Sequence, residues 1–164
     1  MIKTNELHIS YKIYASFEDL DAVQQKIILQ ARNACARAYA PYSNFHVGAA
    51  FLLDDGQIIE GNNQENAAYP SGLCAERTAI FYIGANFPTQ KVEIMAVTAH
   101  LASNHLDFLS ISPCGACRQS VLEYEEKQKT PIKVLLSAKN GGFIELPSIS
   151  SLLPFKFFED SLMS

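Results

Sequence analysis

No uninterrupted apolar run in the 164 residues approaches the ~20 that a bilayer-spanning helix needs, so no membrane segment is expected. The opening residues, MIKTNELHIS, carry Lys3 and Glu6 and lack the roughly 7–15-residue apolar block of a secretory signal, which predicts a soluble, cytoplasmic chain. Basic charge is in deficit: 13 Lys and Arg against 17 Asp and Glu give a formal charge of −4 at pH 7, with nothing denser than the sparse Lys127, Lys129 and Lys133. A surface that tracks nucleic-acid phosphates needs more, so no nucleic-acid partner is expected. Repeats, low-complexity tracts and linkers are missing too. Cysteine is scarce, at four residues, Cys35, Cys74, Cys114 and Cys117. In a reducing compartment the close Cys114-x-x-Cys117 pair reads as a metal or redox site before it reads as a disulfide.

What is present is ordinary globular material. A hydrophobic share of 48% with 18% charged residues excludes a disordered tail, and the length suits one core rather than two. Residues 1–15 place Leu7, Ile9, Tyr11 and Ile13 on one side of a loose alternation and read as an N-terminal arm or edge strand; residues 16–164 read as a single domain.

Ser16 and Asp19 match a capping box, and Leu20, Val23, Ile27, Ala31, Ala34 and Ala38 follow at helical spacing, which predicts a helix to about Tyr39, stopped by Pro41. Strands are predicted over 47–53 and 57–61 around the Asp54-Asp55-Gly56 turn. A second helix is predicted from near Cys74, ended by Gly84 and Pro88. A buried strand over 92–99 and a third helix from the cysteine pair to Gln128 follow. Strands over 132–136 and 143–146 then flank the Asn140-Gly141-Gly142 turn. This order predicts an α/β fold, a three-layer α/β/α sandwich with a mixed five-stranded sheet. Its two cysteine-bearing helix N-termini lie at strand ends, where such sheets place ligands.

Cys114 and Cys117 stand three apart at a helix start, so both sulfurs project into the same space and can grip one metal ion. A Cys-x-x-Cys alone fits a redox pair as well. Cys74, at another helix N-terminus, offers a third thiolate, and three protein ligands leave a tetrahedral zinc one position short, the mark of a catalytic site. Glu76 is the candidate general acid and base, against the plainer reading of a surface glutamate favoured by the helix dipole. Arg77 can donate to a thiolate and offset the negative charge of the cluster, or simply face solvent, and Arg118 is open to the same two readings. Cys35, on the apolar face of the first helix, reads as a small core residue.

The segments CAERTAI and SPCGACRQ resemble the Cys-Ala-Glu and Pro-Cys-Gly-x-Cys-Arg-Gln signatures of the small, homotetrameric, zinc-dependent cytidine deaminase family, over about residues 38–157. The resemblance implies a cytidine-deaminase-like fold for the zinc deaminase domain and one zinc per chain on Cys74, Cys114 and Cys117. It also implies Glu76 as the proton-transfer residue of a pyrimidine-salvage hydrolase. By the same resemblance PYSNFHVGAA assigns Phe45 to the pyrimidine ring, where a core phenylalanine is the bland alternative. GNNQENAAY assigns Asn63 and Glu65 to the sugar hydroxyls and Tyr69 to a neighbouring subunit's ligand, against a merely polar loop. Ala75 joins the substrate contacts. LLPFKF suggests Phe157 as the tail residue that closes another subunit's pocket, although Phe155 and Phe158 crowd it. The implied reaction converts cytidine, and deoxycytidine, to the uridine nucleoside and ammonia. The alternatives are a deaminase of a cytosine-bearing antibiotic nucleoside, polynucleotide editing, against which Cys74 and the acidic charge argue, and a non-catalytic zinc-stabilised interaction module.

Overall fold

The structure, a computed structural model, describes residues 2–158 and residue 162. Met1, residues 159–161 and residues 163–164, which fall within the ranges predicted above for the arm and the domain, lie outside the described residues.

The first helix does not start where a single capping box would put it. Ser16 and Asp19 do form the box, the Ser16 N–H donating to Asp19 Oδ2 at 3.0 Å, but it closes only a 3-10 turn, Phe17–Asp19. A second box then opens α1, Ala22–Cys35: Asp21 accepts from the Val23 and Gln24 N–H groups, both at 2.9 Å, and Gln24 Oε1 accepts from the Asp21 N–H. The helix stops at Cys35 and not at Tyr39. Tyr39 donates its N–H to Asn63 O at 3.0 Å and accepts from the Glu65 N–H at 2.9 Å, so a distant backbone segment takes the groups that would have extended the helix.

β2, Phe45–Leu53, and β3, Ile58–Asn62, form the expected hairpin. α2 runs Ala75–Asn86, β4 Val92–Leu101, α3 Gly115–Gln128, β5 Lys133–Ser137 and β6 Phe143–Leu146. Gly84 therefore lies inside α2 rather than ending it. A Cβ there would meet the Tyr124 hydroxyl at 2.2 Å, so this glycine serves the close approach of α3.

An edge strand, β1, Lys12–Tyr14, runs antiparallel to β6. With it the sheet has six strands in the order β1-β6-β5-β4-β2-β3, one more than the five expected. β1 lies within residues 1–15, read above as an arm or edge strand, but only three residues of that stretch pair, and Leu7, Ile9, Tyr11 and Ile13 do not form a buried side, for all four are exposed. β1 is held instead by Glu145, which pairs with the Lys12 ammonium at 2.9 Å and accepts from the Tyr14 hydroxyl and the Gln24 amide. β4 and β5 are parallel, as the crossover length predicts, and the other pairings are antiparallel.

Both faces of the sheet are covered, so β2 reads as an unbroken apolar run from Ala49 to Leu53. Ala50 and Leu52 join Ile27, Ile28 and Ala31 of α1, with Ala96, Leu135 and Phe143, in one layer. Ala49, Phe51 and Leu53 join Ala79, Ile80 and Ile83 of α2 and Val121 and Leu122 of α3 in the other. Burying each large side chain of this kind contributes roughly 1.5–3 kcal/mol before entropy is counted. α2 and α3 thus lie side by side on one face with their N-termini together.

Candidate functional site

Cys74 and Cys114 are the N-cap residues of α2 and α3. Both have extended backbones (φ −71° and −66°), and neither sulfur caps its own helix, which leaves both free to point outward. Cys117 lies one turn into α3. The Cys114 and Cys117 sulfurs are 3.5 Å apart, those of Cys74 and Cys114 4.0 Å, and all three lie within 4.8 Å of one another. Zinc–sulfur bonds of about 2.3 Å in a tetrahedron put sulfurs about 3.8 Å apart, so the spacing fits one zinc ion. Three soft thiolates and no fourth protein donor in the cluster, among the described residues, suit a site with one open position. Cys117 is buried, Cys74 half-buried and Cys114 exposed, so the cluster opens toward the surface.

Without metal, hydrogen bonds from the Cys117 thiol, and then from Arg77 and Cys114, push the Cys74 thiol down to about 5 against the opposing effect of burial. Cys117, the donor in that pair and itself buried, is pushed up. Cys35 lies elsewhere, buried, donating to His46 O at 3.1 Å, and burial pushes its thiol up to about 11. It belongs to the core.

Glu76, in the first turn of α2, is only 4% exposed, which excludes the surface-glutamate reading. Burial raises its carboxyl above the ordinary range and the Cys74 charge adds to the rise, while its own backbone N–H and the Cys117 thiol work the other way. Arg77 donates from Nη2 to Cys74 Sγ at 3.8 Å. Arg118 departs from both readings considered for it: half-buried, it makes no bond to a sulfur but donates to Pro113 O at 2.8 Å, Ser112 Oγ at 3.1 Å and Leu152 O at 3.2 Å.

The residues assigned to substrate divide into two groups. Asn63 is locked between the strands, Nδ2 donating to Phe45 O at 2.9 Å and Oδ1 accepting from the Val47 N–H at 2.8 Å, with one N–H and one lone pair left for a ligand. Glu65 accepts from the Tyr42 and Ser43 N–H groups, and hydrogen bonding, that of the Ser43 hydroxyl first, holds its carboxyl below the ordinary range. Phe45 packs partly buried against the α2 and α3 core, and Ala75 is fully buried. Tyr69 and Phe157, by contrast, are 91% and 57% exposed, and Phe155 is wholly exposed. Sequence reasoning passed over Glu125, a buried carboxylate on α3, although it continues the apolar spacing of Val121 and Leu122.

Comparison with known proteins adds independent findings. Residues 21–131 match the family model described as the cytidine and deoxycytidylate deaminase zinc-binding region. The chain is 38% identical over 138 residues to a cytidine deaminase of Sporosarcina psychrophila, covering 84% of this chain and 93% of that one. It is 36% identical over 139 residues to one of Halalkalibacterium halodurans, covering 85% and 97%. Its fold matches the crystal structure of cytidine deaminase from Burkholderia pseudomallei with a TM-score of 0.67 at 38% identity, covering 80% of this chain and 97% of that one.

Proposed function

The chain belongs to the cytidine and deoxycytidylate deaminase family, and from that membership we propose that it catalyses the hydrolytic deamination of cytidine, and of deoxycytidine, to the uridine nucleoside and ammonia. It is a zinc-dependent hydrolase acting on a carbon–nitrogen bond, a step of pyrimidine salvage in the cytoplasm. The observation that carries the reading is the convergence of three cysteine sulfurs within 4.8 Å beside a buried glutamate.

Cys74, Cys114 and Cys117 hold one zinc per chain. When bound, the ion supplies Lewis-acid activation of water at neutral pH. Glu76 takes one proton from the attacking water and returns it to the ring nitrogen, then takes the remaining proton from the hydroxyl now on carbon 4 and passes it to the departing amine, so that water and cytidine balance against uridine and ammonia. Arg77, donating to Cys74 Sγ, withdraws charge from a sulfur and keeps the trithiolate site electrophilic. Asn63 and Glu65 engage the sugar hydroxyls, Phe45 the pyrimidine ring, and Ala75 lines the base site from the start of α2.

Tyr69 and Phe157, exposed in one chain, act on a neighbour's substrate in a homotetramer. The exposed setting of Cys114, beside the half-buried Cys74, supports a site completed by a second copy.

The test is loss of ultraviolet absorbance when purified protein meets cytidine, followed with and without a chelator, beside zinc analysis. Cys74→Ala, Cys114→Ala and Cys117→Ala are expected to lose both zinc and turnover and Cys35→Ala to keep both. Full activity in the chelated protein, or full zinc in the three variants, would overturn the reading.

A further inference from the structure

Arg118 makes contacts that none of the chemistry above requires. It stands in the first turns of α3, one residue beyond Cys117. Its backbone N–H donates to Cys114 O at 2.9 Å while its side chain folds back on the residues that lead into the helix, Nε to Pro113 O and Nη2 to Ser112 Oγ. The third donor, Nη1, crosses to Leu152 O, 34 positions along the chain. A planar guanidinium is the side chain able to span three such oxygens at once.

Leu152 ends a 3-10 turn, Ile149–Leu152, that is itself fastened to α3. The buried Glu125 carboxylate accepts from the Ile132 N–H at 2.7 Å, the Ser148 hydroxyl at 2.7 Å and the Ile149 N–H at 3.2 Å, with Ser150 adding its own groups. Farther along, Gln119 Nε2 donates to Phe157 O at 2.9 Å and Glu126 pairs with Lys156. One helix therefore presents two of the three sulfurs at its N-terminus and anchors the C-terminal segment along its length. Arg118 is the side chain that touches both.

We propose, resting on the reading of Cys114 as a metal ligand, that Arg118 is a positioning residue which locks the Cys114 loop to the root of the C-terminal segment, so that zinc retention depends on how firmly that segment is seated. The loop before a metal ligand is where an outer contact has leverage, since it sets the direction of the ligand sulfur without touching the ion.

The test is the rate of zinc release from the holoprotein to excess chelator, a readout that needs no substrate. Arg118→Ala is expected to release zinc about 10–100-fold faster, and Arg118→Lys, whose ammonium reaches one oxygen but cannot bridge all three, to fall between. Glu125→Gln, which loosens the turn under Leu152, is expected to speed release when Arg118 is present and to add nothing in the Arg118→Ala background, the non-additivity of a shared path. In all three variants turnover per bound zinc stays near that of the parent while the Michaelis constant for cytidine rises as the tail loses its seat. Wild-type release rates with only a lowered melting temperature, or fully additive effects of the two changes, would overturn the proposal. Should Arg118→Ala not fold, Arg118→Lys and Glu125→Gln decide the matter by the same rates. A parent chain that binds no zinc removes the metal reading itself, before any variant is made, and the inference with it.

Discussion

Glu76 is held where burial first, and the neighbouring Cys74 charge after it, oppose ionisation. In the metal-free protein this links the residue to stability. Its folded carboxyl titrates above the unfolded value near 4.5, so the native state keeps a proton that the unfolded chain has released. Its contribution is therefore fully present below that unfolded value and is lost as pH rises through the raised one. Glu76→Gln, of the same shape and never charged, is expected to remove that loss. Thermal melts of chelated protein across the mildly acidic to neutral range should show a higher and flatter melting temperature for the variant. A steeper dependence in the variant would contradict the assignment. In the zinc-loaded enzyme the same change is expected to lower turnover by about 10²–10⁴-fold, the usual worth of a general acid–base step. Function and stability pull in opposite directions at this position.

At the scale of elements, the site depends on how closely α2 is pressed onto the hairpin. A Cβ at Gly61 of β3 would come within 2.4 Å of Ala75 O and 2.8 Å of Ala79 N and Cβ. The first of these is backbone in the opening turn of α2, which cannot swing aside as a side-chain tip can. Gly61→Ala must push α2 outward at the turn that holds Cys74 and Glu76. The expected cost is about 1–3 kcal/mol in urea denaturation, together with faster zinc release and lower turnover. A variant with parental stability and zinc affinity would show that α2 can slide without disturbing the centre. The helix is at once a core element and the carrier of Cys74 and Glu76, so packing and the proposed chemistry are coupled here.

At the scale of the whole molecule, the described surface leaves Phe155 wholly exposed, Tyr69 nearly so, and Phe81 and Tyr82 of α2 about half exposed. Such a set on one chain supports the assembly proposed above. Sedimentation is expected to give a tetramer. Deleting residues 155–164 should raise the Michaelis constant for cytidine, and mixing that chain with Glu76→Ala chains should restore some high-affinity sites, since each lacks what the other supplies. A monomer that keeps full activity on dilution would refute assembly in trans.

The sequence by itself was enough for the layered α/β architecture, the β2–β3 hairpin, the parallel β4–β5 crossover and the candidacy of Cys74, Glu76, Cys114 and Cys117. These rest on local physics: periodicity along a strand or helix, the three-residue spacing of Cys114 and Cys117, glycine-bearing turns. Tertiary structure decided whatever depends on segments far apart in the chain. The Cys74 and Cys114 sulfurs meet across 40 positions, and the Tyr14 hydroxyl finds Glu145 across 131, a contact that seats the N-terminal edge strand beside β6 as the sixth strand of the sheet. Tyr39 leaves the helical path because Asn63 and Glu65 compete for its backbone, and Gly84 stays within α2 because Tyr124 presses on it. The burial of Glu76 and the reach of Arg118 to Leu152 were equally invisible, since a propensity ends with its own turn of chain whereas desolvation and a long donor arm answer to whatever the fold brings alongside.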